Sequence, residues 1–61
     1  MELQRIANGM LEAARKHPND VIANAMSRVG DQILTRGAAY VKKMNKTDRM
    51  VYDYYVAGVI G

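Results

Sequence analysis

Four tyrosines carry the whole aromatic content of this 61-residue chain, and three of them fall within four consecutive positions. Tyrosine offers a large, rigid apolar surface with one polar hydroxyl, and it is enriched at the positions that dominate binding energy in protein interfaces. Of the clustered residues, Tyr52 and Tyr55 therefore point to recognition of another macromolecule, whereas Tyr54, like Tyr40, is assigned to the core. The alternative for each ring is packing at the end of a helical core with its hydroxyl in water.

A second group of functional side chains is a run of positive charge just before these tyrosines. Such a run can follow a phosphate backbone or orient the encounter with an acidic protein surface. It is interrupted by Asp48, and cations near a helix C-terminus often stay in solvent and complement the helix dipole. The run, which we call the basic rim, consists of Lys42, Lys43, Lys46 and Arg49.

The residues that could catalyse a reaction are few and poorly arranged. His17 is the only histidine and lies next to Pro18, and Ser27 is the only serine. The glycines are scattered rather than gathered in a phosphate-binding loop, and no acidic series resembles a calcium loop. The absence of cysteine removes disulfides and thiolate metal sites. We therefore expect no enzyme, no metal site and no cofactor.

The elements that position these residues follow from the spacing of apolar side chains. From about residue 2 to 16, apolar residues fall on one arc of a helix and charged residues cover the rest. Pro18 disfavours the helical conformation at His17 and so ends this helix. Asn19 or Asp20 then provides an N-cap for the next helix. The apolar arc of the first helix consists of Leu3, Ile6, Ala7, Met10, Leu11, Ala13 and Ala14.

A single second helix is predicted from about residue 20 to 44, because its apolar residues keep one register across Gly37. Gly37 lowers helix stability by about 1 kcal/mol relative to alanine, and Arg36 would point into the apolar arc. A bend or break near Gly37 is therefore the alternative to a continuous helix. The arc consists of Ile22, Met26, Val29, Ile33, Tyr40 and Met44.

The third predicted helix, about residues 48 to 57 with Thr47 or Asp48 as N-cap, is apolar on two sides. We assign the side that bears Met50 and Tyr54 to the core. The other side is left for a partner, because a helix that is apolar all round is normally buried on all sides and so short a chain cannot cover both. The residues predicted to contact that partner are Tyr52, Tyr55, Val56 and Val59.

Composition and charge limit which classes of partner and which cellular compartment are possible. Nine Lys and Arg residues against six Asp and Glu residues give a net charge of +3, which permits nucleic acid or an acidic protein surface without requiring either. The N-terminal stretch lacks the apolar core of a signal peptide. The longest uncharged apolar stretch, residues 54 to 61, is too short to span a bilayer. We expect a soluble cytoplasmic protein without a transmembrane segment.

These observations predict one all-α domain over residues 1–61, a small three-helix domain with a short first, a long second and a C-terminal third helix. The favoured function is a small protein–protein interaction module. It would act as an inhibitor or adaptor on a larger protein, or form a homodimer through its C-terminal helix. Its small size would suit a phage-like inhibitor of a host factor, although no residue supports that idea specifically.

The alternative function is a small basic nucleic-acid-binding regulatory protein that places the basic rim on phosphates. A helix-turn-helix with its turn at Gly37 fits poorly, because its second helix would be short. That helix would also lack the residue types suited to reading base edges. The protein-binding function is therefore preferred at this point.

Overall fold

Four α-helices and no strand make up residues 2–60, the part of the chain that this computed structural model describes. Side chains are described for residues 2–58. The all-α class is confirmed, but the chain has one helix more than predicted. None of the helices within residues 2–60 is long and apolar enough to cross a membrane. The helices are α1 (Leu3–Lys16), α2 (Asp20–Arg36), α3 (Ala38–Lys43) and α4 (Lys46–Ile60).

A short connection around Pro18 folds α1 back onto α2. The α1 helix ends at Lys16, directly before the two residues that the proline restricts. Asn19 is the N-cap of α2, and its Oδ1 accepts hydrogen bonds from the backbone N–H groups of Val21 (2.9 Å) and Ile22 (3.2 Å). This cap satisfies two of the free donors at the start of α2 and fixes where the second helix begins.

The hydrophobic core lies mainly between α1 and α2, with a contribution from α3. Its largest fully buried side chains are those of Met10 and Val29. Gly30 allows the two helices to approach closely, because a Cβ at that position would lie 3.1 Å from the backbone oxygen of Ala7. The buried apolar residues are Ile6, Ala7, Met10, Ala14, Met26, Val29, Ile33 and Tyr40.

Gly37 divides the predicted second helix into α2 and α3. The prediction of one continuous helix was therefore wrong, and the alternative of a break near Gly37 is what the structure shows. Gly37 has φ 67° and ψ −148°, a region of backbone space open essentially to glycine alone. Its N–H donates to the carbonyl oxygen of Ile33 (2.8 Å), which closes the last turn of α2. Arg36 thereby becomes the exposed last residue of α2 instead of entering the apolar arc.

The α4 helix begins earlier than predicted and has a different N-cap. The Oδ1 of Asn45 accepts from the backbone N–H of Asp48 (2.8 Å), and the Asn45 carbonyl accepts from the N–H of Arg49 (2.9 Å). Asn45 therefore caps the helix, and neither Thr47 nor Asp48 does. The side chain of Asp48 is free for another role.

Replacing Gly37 by alanine is expected to lower the free energy of unfolding by about 1–3 kcal/mol, because an L side chain is strained at this backbone conformation. Gly58→Ala is the matched control. Gly58 lies in a helix with open space around it, so alanine there should leave stability unchanged or raise it by up to about 1 kcal/mol. Urea unfolding followed by circular dichroism measures both. Equal effects of the two substitutions would contradict the role of Gly37.

Candidate functional site

A buried carboxylate, that of Asp48, joins three helices at one end of the molecule. Asp48 is only 6% exposed. Its Oδ1 accepts from Arg28 Nη2 of α2 (2.7 Å), and its Oδ2 accepts from the hydroxyl of Tyr40 in α3 (2.8 Å). A carboxylate is buried at a cost unless it is paired and hydrogen-bonded, and here both oxygens have a donor. The triad of Arg28, Tyr40 and Asp48 therefore ties α2, α3 and the first turn of α4 together.

The environment of this triad shifts the pKa of each member. Burial by itself would raise the pKa of Asp48, but the hydrogen bonds from Arg28 and Tyr40 outweigh it and hold that pKa below its ordinary value. Burial, followed by the hydrogen bond to Asp48, raises the pKa of Tyr40 to about 12. The hydrogen bond to Asp48 also raises the pKa of Arg28. At neutral pH the triad holds one carboxylate, one guanidinium and one neutral phenol.

The raised pKa of Tyr40 predicts a loss of stability in alkaline solution. A group whose pKa is higher in the folded state contributes stability that is complete below its unfolded pKa of about 10. This contribution is lost as the pH rises towards the folded value of about 12. The phenolate absorbance difference between the wild type and Tyr40→Phe should therefore titrate near pH 12. A difference that titrates near pH 10 would show that Tyr40 is not buried against Asp48.

A half-open cleft of about 490 Å³ lies beside the triad, between α2, α3 and the start of α4. Its volume suits one or two side chains of a ligand. Arg28, Gln32 and Arg36 follow one another at four-residue spacing and so line it from a single face of α2. We call this space the cationic cleft. Its lining residues are Arg28, Gln32, Arg36, Ala39, Tyr40, Lys43, Met44, Asn45 and Asp48.

The structure divides the predicted basic rim. Lys43 lines the cationic cleft, whereas Lys42 and Lys46 are exposed but are not among its lining residues. Arg49 is half-buried, donates from Nη2 to the backbone carbonyl of Val41, and has its Cζ 6.0 Å from the ring centroid of Tyr52. Arg49 thus supports the α3–α4 junction, and the four residues of the basic rim have different surroundings.

Five residues of α4 lie on the opposite side of the helix from the one predicted. Tyr52, Tyr55 and Val56 are half-buried and pack against the core, whereas Met50 is 65% and Tyr54 62% exposed. Tyr55 reaches as far as α1, where a Cβ on Gly9 would collide with its hydroxyl. The assignment of Met50 and Tyr54 to the core was therefore wrong. The side chain of Val59, also predicted to contact a partner, lies outside the described residues.

The physical reason for the reversal is the position of Asp48. Asp48 is drawn inward by Arg28 and Tyr40. Positions three, four, seven and eight residues after it then face the same way in a helix. The residues at these positions are Val51, Tyr52, Tyr55 and Val56, all of which pack against the core.

An exposed apolar face on α4 is the second candidate site. Met50 and Tyr54 lie one turn apart on it, and Ala57 and Gly58 continue it for a further turn. Asp53 is the one charged residue among the exposed residues from Met50 to Gly58. We call these four residues the Met50–Tyr54 face. Val21 and Leu34 of α2 are the other large apolar side chains that are exposed among the described residues, but they do not lie one helical turn apart as Met50 and Tyr54 do.

Sequence reasoning missed Arg28, Gln32 and Asp48 as members of a site. The side chain of Arg28 is 55% exposed and lies outside the apolar arc of α2, so the apolar pattern gives no reason to assign it to a site. One signal was available, because a cation at Arg36 inside an apolar arc indicates that the helix must break before the next turn. The pairing of Arg28 with Asp48 spans 20 residues and has no local signature.

Searches with protein-family models, curated proteins and solved structures found no match for this chain. The site must therefore be judged by its own chemistry. Among the described residues there is no group of three His, Cys, Asp or Glu side chains that could hold a metal ion. The two candidate sites are a cleft lined by three cationic side chains and an exposed apolar face of α4.

Proposed function

We propose that this chain is a small protein-interaction module that binds its partner through the Met50–Tyr54 face of α4. The observation that carries the proposal is the exposure of two large apolar side chains, Met50 and Tyr54, one helical turn apart. Methionine and tyrosine are both enriched in protein interfaces, where methionine adapts its shape and tyrosine supplies rigid area. The partner is a larger protein, which the module inhibits or recruits, or a second copy of the chain.

The division of α4 into a packed face and an exposed face supports the same proposal. A domain of about 60 residues buries a modest fraction of its surface and is correspondingly marginal when alone. The inward face of α4 is used to complete the core. Covering the opposite face with a partner would add apolar burial and stabilise the folded state by mass action.

A second candidate function is binding to nucleic acid through positive charge. The exposure of Lys42 and Lys46, next to the cleft that Arg36 and Lys43 line, favours it. Such binding would weaken steeply as salt rises, because each phosphate contact releases a condensed counterion. It would not depend on Met50 or Tyr54, which gives a direct way to separate the two functions.

Self-association is tested by sedimentation of the wild type and of the double variant Met50→Asp/Tyr54→Asp. If the chain pairs with itself through this face, the wild type sediments as a dimer and the variant as a monomer. Both substituted side chains are exposed, so helicity should be kept. The matched control is Val21→Asp/Asn24→Asp, which makes the same change of charge on an exposed part of α2. A dimer that survives in the α4 variant would contradict pairing through the Met50–Tyr54 face.

A further inference from the structure

The cationic cleft is rich in hydrogen-bond donors and poor in acceptors. The carboxylate of Asp48 already accepts from Arg28 and Tyr40. The Oδ1 of Asn45 already accepts from a backbone N–H, which leaves its amide NH₂ free to donate. Arg36 and Lys43 form no ion pair with any residue whose side chain is described. Apart from the amide oxygen of Gln32, the polar side chains that are free to bind a ligand are donors, so negatively charged acceptor oxygens complement this cleft best.

The triad fixes the orientation of one of these donors, the guanidinium of Arg28, before any ligand binds. Asp48 engages a single nitrogen of Arg28, Nη2, and a guanidinium carries five N–H donors in a fixed fork. The remaining donors of Arg28 are held at the wall of the cleft by a buried anchor. A side chain that is already oriented loses less conformational freedom when it binds.

We propose that the cationic cleft binds an acidic peptide segment of a protein partner, with Arg36, Lys43 and the anchored Arg28 receiving its carboxylates. This proposal goes beyond the function proposed above, because the cleft is a second binding site that contains neither Met50 nor Tyr54. Guanidinium groups match the paired oxygens of a carboxylate. The apolar parts of the lining, those of Ala39 and Met44, can accommodate the methylene groups of glutamate.

The spacing of the donors fits an extended peptide. Arg28, Gln32 and Arg36 stand one helical turn apart, about 6 Å along the axis for each step. Alternate side chains of an extended strand point the same way and are about 6.6 Å apart. Two glutamates four residues apart in an extended segment could therefore meet Arg28 and Arg36, which agrees with a cleft volume suited to one or two ligand side chains. Three cationic side chains line the cleft, so few phosphates could be neutralised there and the affinity of this cleft alone for nucleic acid would be low.

The test is a titration of the isotope-labelled full chain with an acetylated peptide of alternating glutamate and alanine, followed by NMR. We expect the amide signals of Arg36 and Lys43 to shift, and the same peptide with glutamine in place of glutamate to cause no shift. The variant Arg36→Gln/Lys43→Gln should bind the acidic peptide about tenfold more weakly or worse. The control Arg5→Gln/Lys42→Gln lowers the net charge equally at exposed positions outside the cleft lining and should retain most of the affinity.

Three outcomes would overturn the proposal. The first is no shift with the acidic peptide, and the second is an equal loss of affinity in both double variants, which would indicate diffuse attraction. The third is tighter binding of a thymidine oligonucleotide or of inorganic phosphate through the same two residues. None of these outcomes changes the sedimentation expected for Met50→Asp/Tyr54→Asp. The acidic-peptide proposal can therefore fail while the interaction through α4 stands, and the interaction through α4 can fail while the acidic-peptide proposal stands.

Discussion

Replacing Asp48 by alanine is expected to lower the free energy of unfolding by about 3 kcal/mol. The substitution leaves the buried hydroxyl of Tyr40 without its hydrogen-bond acceptor, which costs about 1–3 kcal/mol. It also removes the partner of Arg28, and breaking a buried ion pair costs about 3–5 kcal/mol when both members are desolvated. Arg28 is half-exposed, so the total should fall below the sum of these ranges. Chemical unfolding at neutral pH measures the loss.

Asp53→Ala is the control for this prediction, since Asp53 lies on the same helix but is exposed. It should change stability by no more than about 0.5 kcal/mol. Because the total stability of a chain this short is roughly 3–9 kcal/mol, Asp48→Asn serves as a milder variant if the alanine variant does not fold. Equal stability of the Asp48 and Asp53 variants would contradict the triad.

The acid behaviour of the wild type should carry the same signature. The folded-state pKa of Asp48 is lower than the unfolded value of about 3.9. Its contribution is therefore present above that value and is lost as the pH falls through the folded pKa. Asp48→Asn should remove this part of the acid dependence.

Replacing Met10 by alanine is expected to lower the free energy of unfolding by about 2–5 kcal/mol, the range measured for emptying such a core position. Met10 is completely buried between α1 and α2. The control is Met50→Ala, which makes the same chemical change at a side chain that is 65% exposed and should cost no more than about 0.5 kcal/mol. Sequence periodicity placed both methionines inside, so this pair of variants separates the two accounts of α4. A large loss of stability in Met50→Ala would show that Met50 is buried, as the periodicity of the sequence predicts, and would contradict its exposed position in the structure.

The α1–α2 hairpin shows how much of this fold could be predicted. Its signals are local: one clear apolar arc, a proline that ends α1 and an asparagine that caps α2. The ranges predicted for α1 and for the start of α2 agree with the structure to within one residue. Here pattern, cap and packing all favour the same answer, which is the condition under which sequence reasoning succeeds.

The orientation of α4 could not be predicted in the same way. Its apolar residues occupy two faces, so periodicity gives no preferred side. The choice is made by Asp48, whose partners lie in α2 and α3 and come close only in the folded chain. The prediction of Asp48 as a helix N-cap left out its hydrogen bonds to Arg28 and Tyr40. Without them, the side of α4 that faces the core was assigned wrongly. The cationic cleft could not be predicted either. It forms only when the helix breaks at Gly37 and the triad holds α2, α3 and α4 together.

The most direct test of the proposed function is a tagged capture from nuclease-treated lysate of the source cells, analysed by mass spectrometry. The baits are the wild type, Met50→Asp/Tyr54→Asp and the charge-matched control Val21→Asp/Asn24→Asp. We expect the wild type and the control to retain the same protein, and the α4 variant to lose it while keeping its helical circular dichroism. A protein retained equally by all three baits would contradict recognition through the Met50–Tyr54 face. Capture of the protein only from a parallel lysate without nuclease would also contradict it, because nucleic acid would then hold the protein to the bait.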